Sequence, residues 1–163
     1  MYRIGMSRDI HRLIKGRPLW IGGVLIDHDF GFEAHSDGDI VLHALTEALL
    51  GSLALGDLGT HFPNTDPQYK DKPSSYFVQY AKRLVEAKGY RVCNIDISIV
   101  IESPRLSPHI PTMVARIGKM IGLASDQISV KAGTNEGLGY IGQGLGAEAT
   151  CVVLVEKIID QAH

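Results

Sequence analysis

Only two cysteines occur among the 163 residues, Cys93 and Cys151. That is too few for a disulfide scaffold, and both lie inside apolar runs, so they read as reduced, buried thiols of a reducing compartment. Long apolar stretches are missing as well. The longest are of the size of Val152-Val153-Leu154-Val155, far short of a membrane span. Excess charge of one sign is also absent: 16 basic residues stand against 18 acidic ones, a net charge of −2. That excludes the strongly basic surface of a nucleic-acid binder. The opening MYRIGMSRDIHR has no apolar leader core and no small-residue cleavage site, so no signal peptide is expected. Its three arginines do not make a transit peptide, because strand-like patterning begins at residue 2.

What is present is an ordinary globular composition, 45% hydrophobic and 21% charged. A chain of this length buries roughly 68–70% of its unfolded surface, so it folds without a metal or disulfide. Residues 2–13 read as an extended segment, and Trp20–Ile26 as a second short strand after the turn-rich Lys15-Gly16-Arg17-Pro18. Residues 27–35 read as a polar and aromatic loop. From Asp39 to Gly51 the apolar positions 40, 41, 44, 45, 48 and 49 follow a 3.6 period, with an acidic start and a glycine end. Residues 56–73 read as a loop. Ser74 or Ser75 can cap a helix running to about Lys88. Apolar residues at 95, 97, 99 and 101 mark a strand over 92–102 with one buried face. A helix over 108–121, a strand over 128–132, a loop with six glycines in fourteen residues (133–146) and a last strand over 148–157 complete the order β-β-α-α-β-α-β. No repeat or linker interrupts it. The expectation is one domain, 1–163, of α/β (α+β) class with a mixed sheet.

Five segments carry candidate chemistry. On a strand, Asp9 and His11 point to the same face and can reach one ion. D-x-H alone is more often a surface pair. In His35-Ser36-Asp37-Gly38-Asp39 followed by His43, Asp39 and His43 share a helix face, and His43 can supply a third ligand, leaving a fourth position open. Lys131-Ala-Gly-Thr-Asn-Glu-Gly-Leu-Gly139 offers backbone N–H groups to phosphate and Glu136 to a hard cation. It is not a P-loop, and taken alone it is more simply a glycine-rich hairpin. Gly56-Asp57-Leu58-Gly59, leading to His61-Phe62-Pro63-Asn64-Thr65-Asp66, is a long loop of the kind that binds ligands, with Asp57 either a turn cap or a partner for a sugar hydroxyl. At the strand end, Glu102-Ser103-Pro104-Arg105-Leu106 either binds a ligand or simply marks the strand's exit.

Together these pieces resemble the 2-C-methyl-D-erythritol 2,4-cyclodiphosphate synthases of the non-mevalonate isoprenoid pathway. The resemblance runs in order along almost the whole chain. It rests on Asp9-x-His11, on Ala34-His-Ser-Asp-Gly-Asp39 with His43, on Gly56-Asp57 through His61-Phe-Pro63, and on Asp66-Pro-x-Tyr-Lys70. It continues through Pro104-Arg-Leu, Lys131-Ala132 with Thr134 and Glu136, and Leu138-Gly139. It implies a ferredoxin-like variant, helices on one face of the sheet, assembled as a homotrimer with active sites shared between chains. Zn²⁺ would sit on Asp9, His11 and His43. A second cation, Mg²⁺ or Mn²⁺, would sit on Glu136. His35 and Thr134 would steady the transition state. Asp57, Leu58, Gly59 and residues Phe62, Pro63, Asn64, Thr65 and Asp66, with Ser36, would hold the methylerythritol phosphate. Ile101, Pro104, Arg105, Leu106 and Ser107, with Ala132, Gly133 and Asn135, would form the cytidine pocket, largely through backbone, and Tyr140 and Gln143 would complete the substrate contacts. A cytoplasmic bacterial enzyme is implied, with a processed plastid form left open. No nucleic acid or membrane partner is expected.

Three positions depart from the family pattern. Ser7 stands where the opening usually has its second glycine, and its Cβ would be strained if the backbone needed positive φ there. Gln143 stands where Arg is common and Leu145 where Glu is common, in a segment that the resemblance places along the trimer axis. The implied reaction is attack of the substrate's own 2-phosphate on its β-phosphorus, expelling CMP. The nucleophile is already anionic, which agrees with the absence of any G-x-S-x-G elbow. A zinc phosphohydrolase and a non-catalytic metal-bridged trimer are the competing classes.

Overall fold

Strand β1 (Tyr2–Lys15) and strand β7 (Gly146–Lys157) form the centre of the sheet, paired antiparallel from Tyr2↔Glu156 to Arg12↔Gly146. The computed structural model, which describes residues 1–63, 65–69 and 72–158, orders the five strands β4 (Phe30–Phe32), β1, β7, β5 (Tyr90–Val100) and β6 (Ile128–Gly133). Strand β5 runs antiparallel to β7 and parallel to β6, so the sheet is mixed.

The period-2 pattern is used as expected. Ile95, Ile97, Ile99 and Ile101 are all buried, as are Ala147, Ala149, Cys151, Val153 and Val155 on β7. Helices α1 (Ile40–Ser52), α3 (Ser74–Ala87) and α4 (Ile110–Ile121) bury this face in one core. Gly5 lets α1 approach β1 closely: a Cβ there would lie 1.8 Å from the Ala48 carbonyl oxygen. Two ends are set by local chemistry. The Asp39 side chain accepts from the N–H groups of Val41 and Leu42 at the start of α1, and Gly122 closes α4 at φ 83°.

Several sequence expectations are corrected. Residues 20–26 are not one strand but a hairpin, β2 (Leu19–Ile21) and β3 (Val24–Ile26), turning at Gly22-Gly23 with both φ positive. The segment 27–35 is not all loop, because β4 (Phe30–Phe32) pairs with β1. Short helices α2 (Leu58–His61) and α5 (Gly139–Gly142) interrupt the two long loops. Neither serine caps α3. Pro73 holds the cap position, and Ser74 is the first helical residue, its N–H taken by Asp37. Cys93 is only half-buried; Cys151 is fully buried, which pushes its thiol up to about 12.

Candidate active site

Alternation along β1 turns Asp9 and His11 toward the helices, and α1 brings His43 against them. One ligand atom from each lies within 4.8 Å of the others. His43 Nδ1 is 3.0 Å from Asp9 Oδ2, and His11 Nδ1 is 3.3 Å from the same oxygen. The His43 side chain is 11% exposed and the Asp9 side chain 25%. His11 Nδ1 is buried, and its orientation to Asp9 makes no hydrogen bond, so it has no partner among the described residues. An orphaned buried nitrogen beside a carboxylate and a second imidazole is a site that asks for a cation. Two imidazoles and one carboxylate with a fourth direction open are a donor set suited to a divalent metal.

The electrostatics agree. Burial would raise the Asp9 carboxyl, but its two imidazole neighbours, His11 and His43, override it and bring it down to about 2. Burial works against charge on His11 as well, and the neighbouring Asp9 outweighs that, leaving His11 raised. Asp39, which shares the helix with His43, does not face the cluster. Its carboxylate accepts from the backbone N–H of Gly22 and Gly23 at 2.9 and 2.7 Å, pinning the β2–β3 turn to α1.

The metal cluster forms one wall of a cavity of about 650 Å³. His35, Ser36, Leu58, Gly59, Phe62, Pro63, Thr65 and Asp66 line it too, together with Glu33, Ala34, Pro67, Tyr69 and Phe77. His35 is exposed at its mouth. Phe62 anchors the floor, with ring centroids 4.7 Å from Phe77, 4.8 Å from Tyr80 and 5.1 Å from Tyr69. Asp57 is outside the lining; its carboxylate caps α2 by accepting from the Thr60 N–H and hydroxyl. Asn64 lies outside the described residues.

The second group of expected site residues lies elsewhere on the chain. None of residues 101–107 or 132–143 lines this cavity. Ile101 and Leu106 bury their side chains in the core, leaving only backbone to a ligand. Pro104 follows a cis peptide bond. Arg105 is exposed and donates to Ser107 Oγ at 2.9 Å. Residues 131–140, which include Ala132, Gly133, Thr134, Asn135, Glu136 and Tyr140, are exposed throughout, and so is Gln143. The Glu102 carboxylate accepts from the N–H of Asn135 at 2.7 Å and of Gly137 at 3.4 Å, and Glu136 between them sits at φ 53°. A side chain in that region is uncommon outside functional turns.

Ser7 departs from the family pattern without strain. It lies within the regular pairing of β1 and donates to Glu47 Oε2 at 2.7 Å, while Glu47 Oε1 accepts the Leu58 N–H at 3.2 Å. Three further residues escaped the sequence reading. Ser74 contacts His43 from behind, Asp37 holds Ser74 there, and Phe77 lines the cavity. Asp37 belongs to the His35–Asp39 run and Ser74 to the start of a helix, and nothing in one dimension joins the two.

The model of the YgbB family matches residues 2–156. The chain belongs to the YgbB family. Two relatives named 2-C-methyl-D-erythritol 2,4-cyclodiphosphate synthase, from Bordetella avium and Chloroherpeton thalassium, are 46% and 47% identical to it over 156 residues. The alignments cover 96% of this chain and 96% and 99% of theirs. A solved synthase of the same name superposes with a TM-score of 0.89 at 41% identity, covering 94% of this chain and 100% of that one. A bifunctional IspDF from Campylobacter jejuni superposes with a TM-score of 0.93 at 35% identity, covering 97% of this chain and 43% of that longer one. A solved 2C-methyl-D-erythritol-2,4-cyclodiphosphate synthase in its CDP-bound form superposes with a TM-score of 0.89 at 40% identity, covering 94% of this chain and 100% of that one. No helix among the described residues is long and apolar enough to cross a membrane.

Proposed function

We propose that the protein converts 4-diphosphocytidyl-2-C-methyl-D-erythritol 2-phosphate to 2-C-methyl-D-erythritol 2,4-cyclodiphosphate with release of CMP, a cyclising phosphorus–oxygen lyase. The observation that carries the reading is the Asp9–His11–His43 cluster in the wall of a cavity lined by the matched motifs.

The chemical problem is to bring a phosphate nucleophile against a diphosphate when both are anionic. A net charge of −2 supplies no general attractive field. Divalent cations, Zn²⁺ and Mg²⁺ or Mn²⁺, would supply the local charge neutralisation and Lewis-acid assistance that two anionic groups need. Asp9, His11 and His43 would hold the first cation, and Glu136 the second. Leu58, Gly59, Phe62 and Asp66 fold the methylerythritol chain so that its 2-phosphate faces the β-phosphorus. Such positioning contributes part of the roughly 7–11 kcal/mol open to intramolecular reactions. His35 and Thr134 donate hydrogen bonds to oxygens that gain charge as the bond to CMP breaks.

A homotrimer accounts for the separation of the two groups of residues. The cytidine pocket of residues 101–107 and 132–135, with Thr134 and Glu136, then comes from one chain and the zinc cavity from its neighbour. Support comes from the second face of the sheet, where Ile4, Met6, Ile10 and Val152 lie exposed together.

The test is to incubate the protein with the cytidyl substrate, Zn²⁺ and Mg²⁺ and follow phosphorus NMR. The expected result is CMP together with a cyclic diphosphate. CMP with an uncyclised bisphosphate would instead make it a phosphohydrolase, and no turnover would refute both.

A further inference from the structure

The face of His43 away from the metal cluster is not left to solvent. Its Nε2 lies 2.9 Å from Ser74 Oγ and 3.3 Å from Ser36 Oγ. Ser74 is fully buried and opens helix α3. Its hydroxyl contacts Asp37 Oδ1, and its own N–H donates to Asp37 Oδ2 at 2.8 Å. Asp37 also accepts the Asp39 N–H at 3.1 Å.

The direction of these bonds can be worked out by counting hydrogens. A carboxylate only accepts, so the single Ser74 hydroxyl hydrogen goes to Asp37. Ser74 Oγ can then only accept from His43, so Nε2 must carry a hydrogen. In the neutral imidazole, which carries one ring hydrogen, that leaves the Nδ1 lone pair free, on the side that faces Asp9 and His11. Asp9 taken alone would favour the opposite arrangement: a carboxylate 3.0 Å from Nδ1 draws a proton onto that nitrogen. A protonated Nδ1 cannot bind a metal.

We infer that Asp37 and Ser74 are positioning residues that fix the tautomer and orientation of His43, keeping its proton on Nε2 and its Nδ1 free for the metal. The inference rests on the proposal that Asp9, His11 and His43 hold a divalent ion. Ser36, farther from Nε2 and occupied by the Gly38 N–H at 3.2 Å, is a secondary acceptor for the same hydrogen. The arrangement also links three separate segments. The loop before α1, the helix α1 and the first turn of α3 meet at one imidazole, so the docking of α3 sets the ligand geometry. Partners of this kind behind a metal-bound imidazole typically change metal affinity by about 10–100-fold.

The test has two readouts, neither of them activity. The full chain, labelled with nitrogen-15 in its histidines and freed of metal, is examined by imidazole NMR at about pH 9, above the ordinary histidine range near 6.5. The His43 signals are identified by their loss in His43→Gln. The expected result is a proton on Nε2; a proton on Nδ1 overturns the inference. Zinc affinity is then measured by competition with a chromophoric chelator in the parent chain and in Ser74→Ala. The variant is expected to bind zinc about 10–100-fold more weakly, with the His43 proton moved to Nδ1. An unchanged dissociation constant overturns the inference, and so does weaker binding with the proton still on Nε2, which would mark a packing defect. If Ser74→Ala does not fold, the tautomer of the parent chain still decides. If the parent chain binds no zinc, the metal proposal falls while the tautomer measurement independently judges the inference.

Discussion

His43 and His35 belong to one motif, eight residues apart, yet their surroundings differ sharply. His43 is enclosed by Asp9, His11, Ser36 and Ser74, every one a polar contact to a ring nitrogen or a ring neighbour. His35 is exposed at the cavity mouth with no recorded side-chain bond among the described residues. Removal of each should therefore act on a different observable. His43→Ala leaves one carboxylate and one imidazole, too few to hold zinc firmly. It should lose most of its metal and nearly all turnover, while circular dichroism stays native, because the core does not depend on the ion. His35→Ala should keep its full zinc content and lose turnover by about 10²–10³, the usual effect of removing one transition-state donor. Metal analysis of the two purified variants beside one rate measurement separates them. Zinc missing from His35→Ala would make His35 a ligand and reopen the assignment of His43.

Between elements, the tightest restraint is the contact of β1 with α1. A Cβ on Gly5 would lie 1.8 Å from Ala48 O and 2.7 Å from Ser52 N, both backbone atoms of the helix. No rotamer change relieves such a clash, so Gly5→Ala must push the helix off the strand that carries Asp9 and His11. The expected cost is at or above ~3 kcal/mol, the upper end for overpacking. For a domain of this size that is a fall in Tm of roughly 6–12 °C. Gly51→Ala is the control: nothing lies within 4 Å of its Cβ, it sits in α1, and it should leave Tm unchanged or slightly raised. Equal melting of the two variants would refute the close-approach account. The same contact shows what was readable in one dimension. The alternation of Ile95 to Ile101 and the periodic helix at 40–49 state their faces in the sequence itself, and so did the i, i+2 pair Asp9 and His11. The β2–β3 hairpin was hidden because Gly22-Gly23 interrupts an otherwise continuous apolar run. Strand β4 was hidden because three residues are too few to display a period; pairing with β1 makes it a strand. Ser74 and Asp37 are 37 residues apart, and only the packing of α3 on α1 reveals that they meet behind His43.

On the scale of the whole molecule, the sheet has two unlike faces. The helices cover one. On the other, Ile4 and Met6 of β1 stand beside Leu154 and Val152 of β7 by the strand register, and Ile4 and Met6 are 69% and 64% exposed. Tyr2 extends this apolar strip along β1, and Ile10 lies on the same face beyond Arg8. Ion pairs flank it: Arg8 with Glu148, whose carboxyl the arginine holds below its ordinary value, and Lys131 with Asp96. A contiguous apolar strip rimmed by charge is the mark of an association surface rather than of a solvated one. Threefold self-association on this face would bury the strip and bring the exposed 101–107 and 132–136 segments of one chain toward the Asp9–His11–His43 cavity of the next. Met6→Asp combined with Val152→Asp places two carboxylates at the centre of the strip, directly across the β1–β7 pair. The parent chain is expected to sediment as a trimer and the double variant as a monomer. Because Asp9, His11 and His43 all belong to one chain, the monomer should still bind zinc at close to one equivalent. If the cytidine pocket comes from the neighbour, as proposed, it should nonetheless lose turnover. That combination, metal kept and activity lost on dissociation, distinguishes a shared active site from a trimer formed for stability alone. A fully active monomer, whether parent or variant, would show that one chain completes its own site and would refute the shared arrangement.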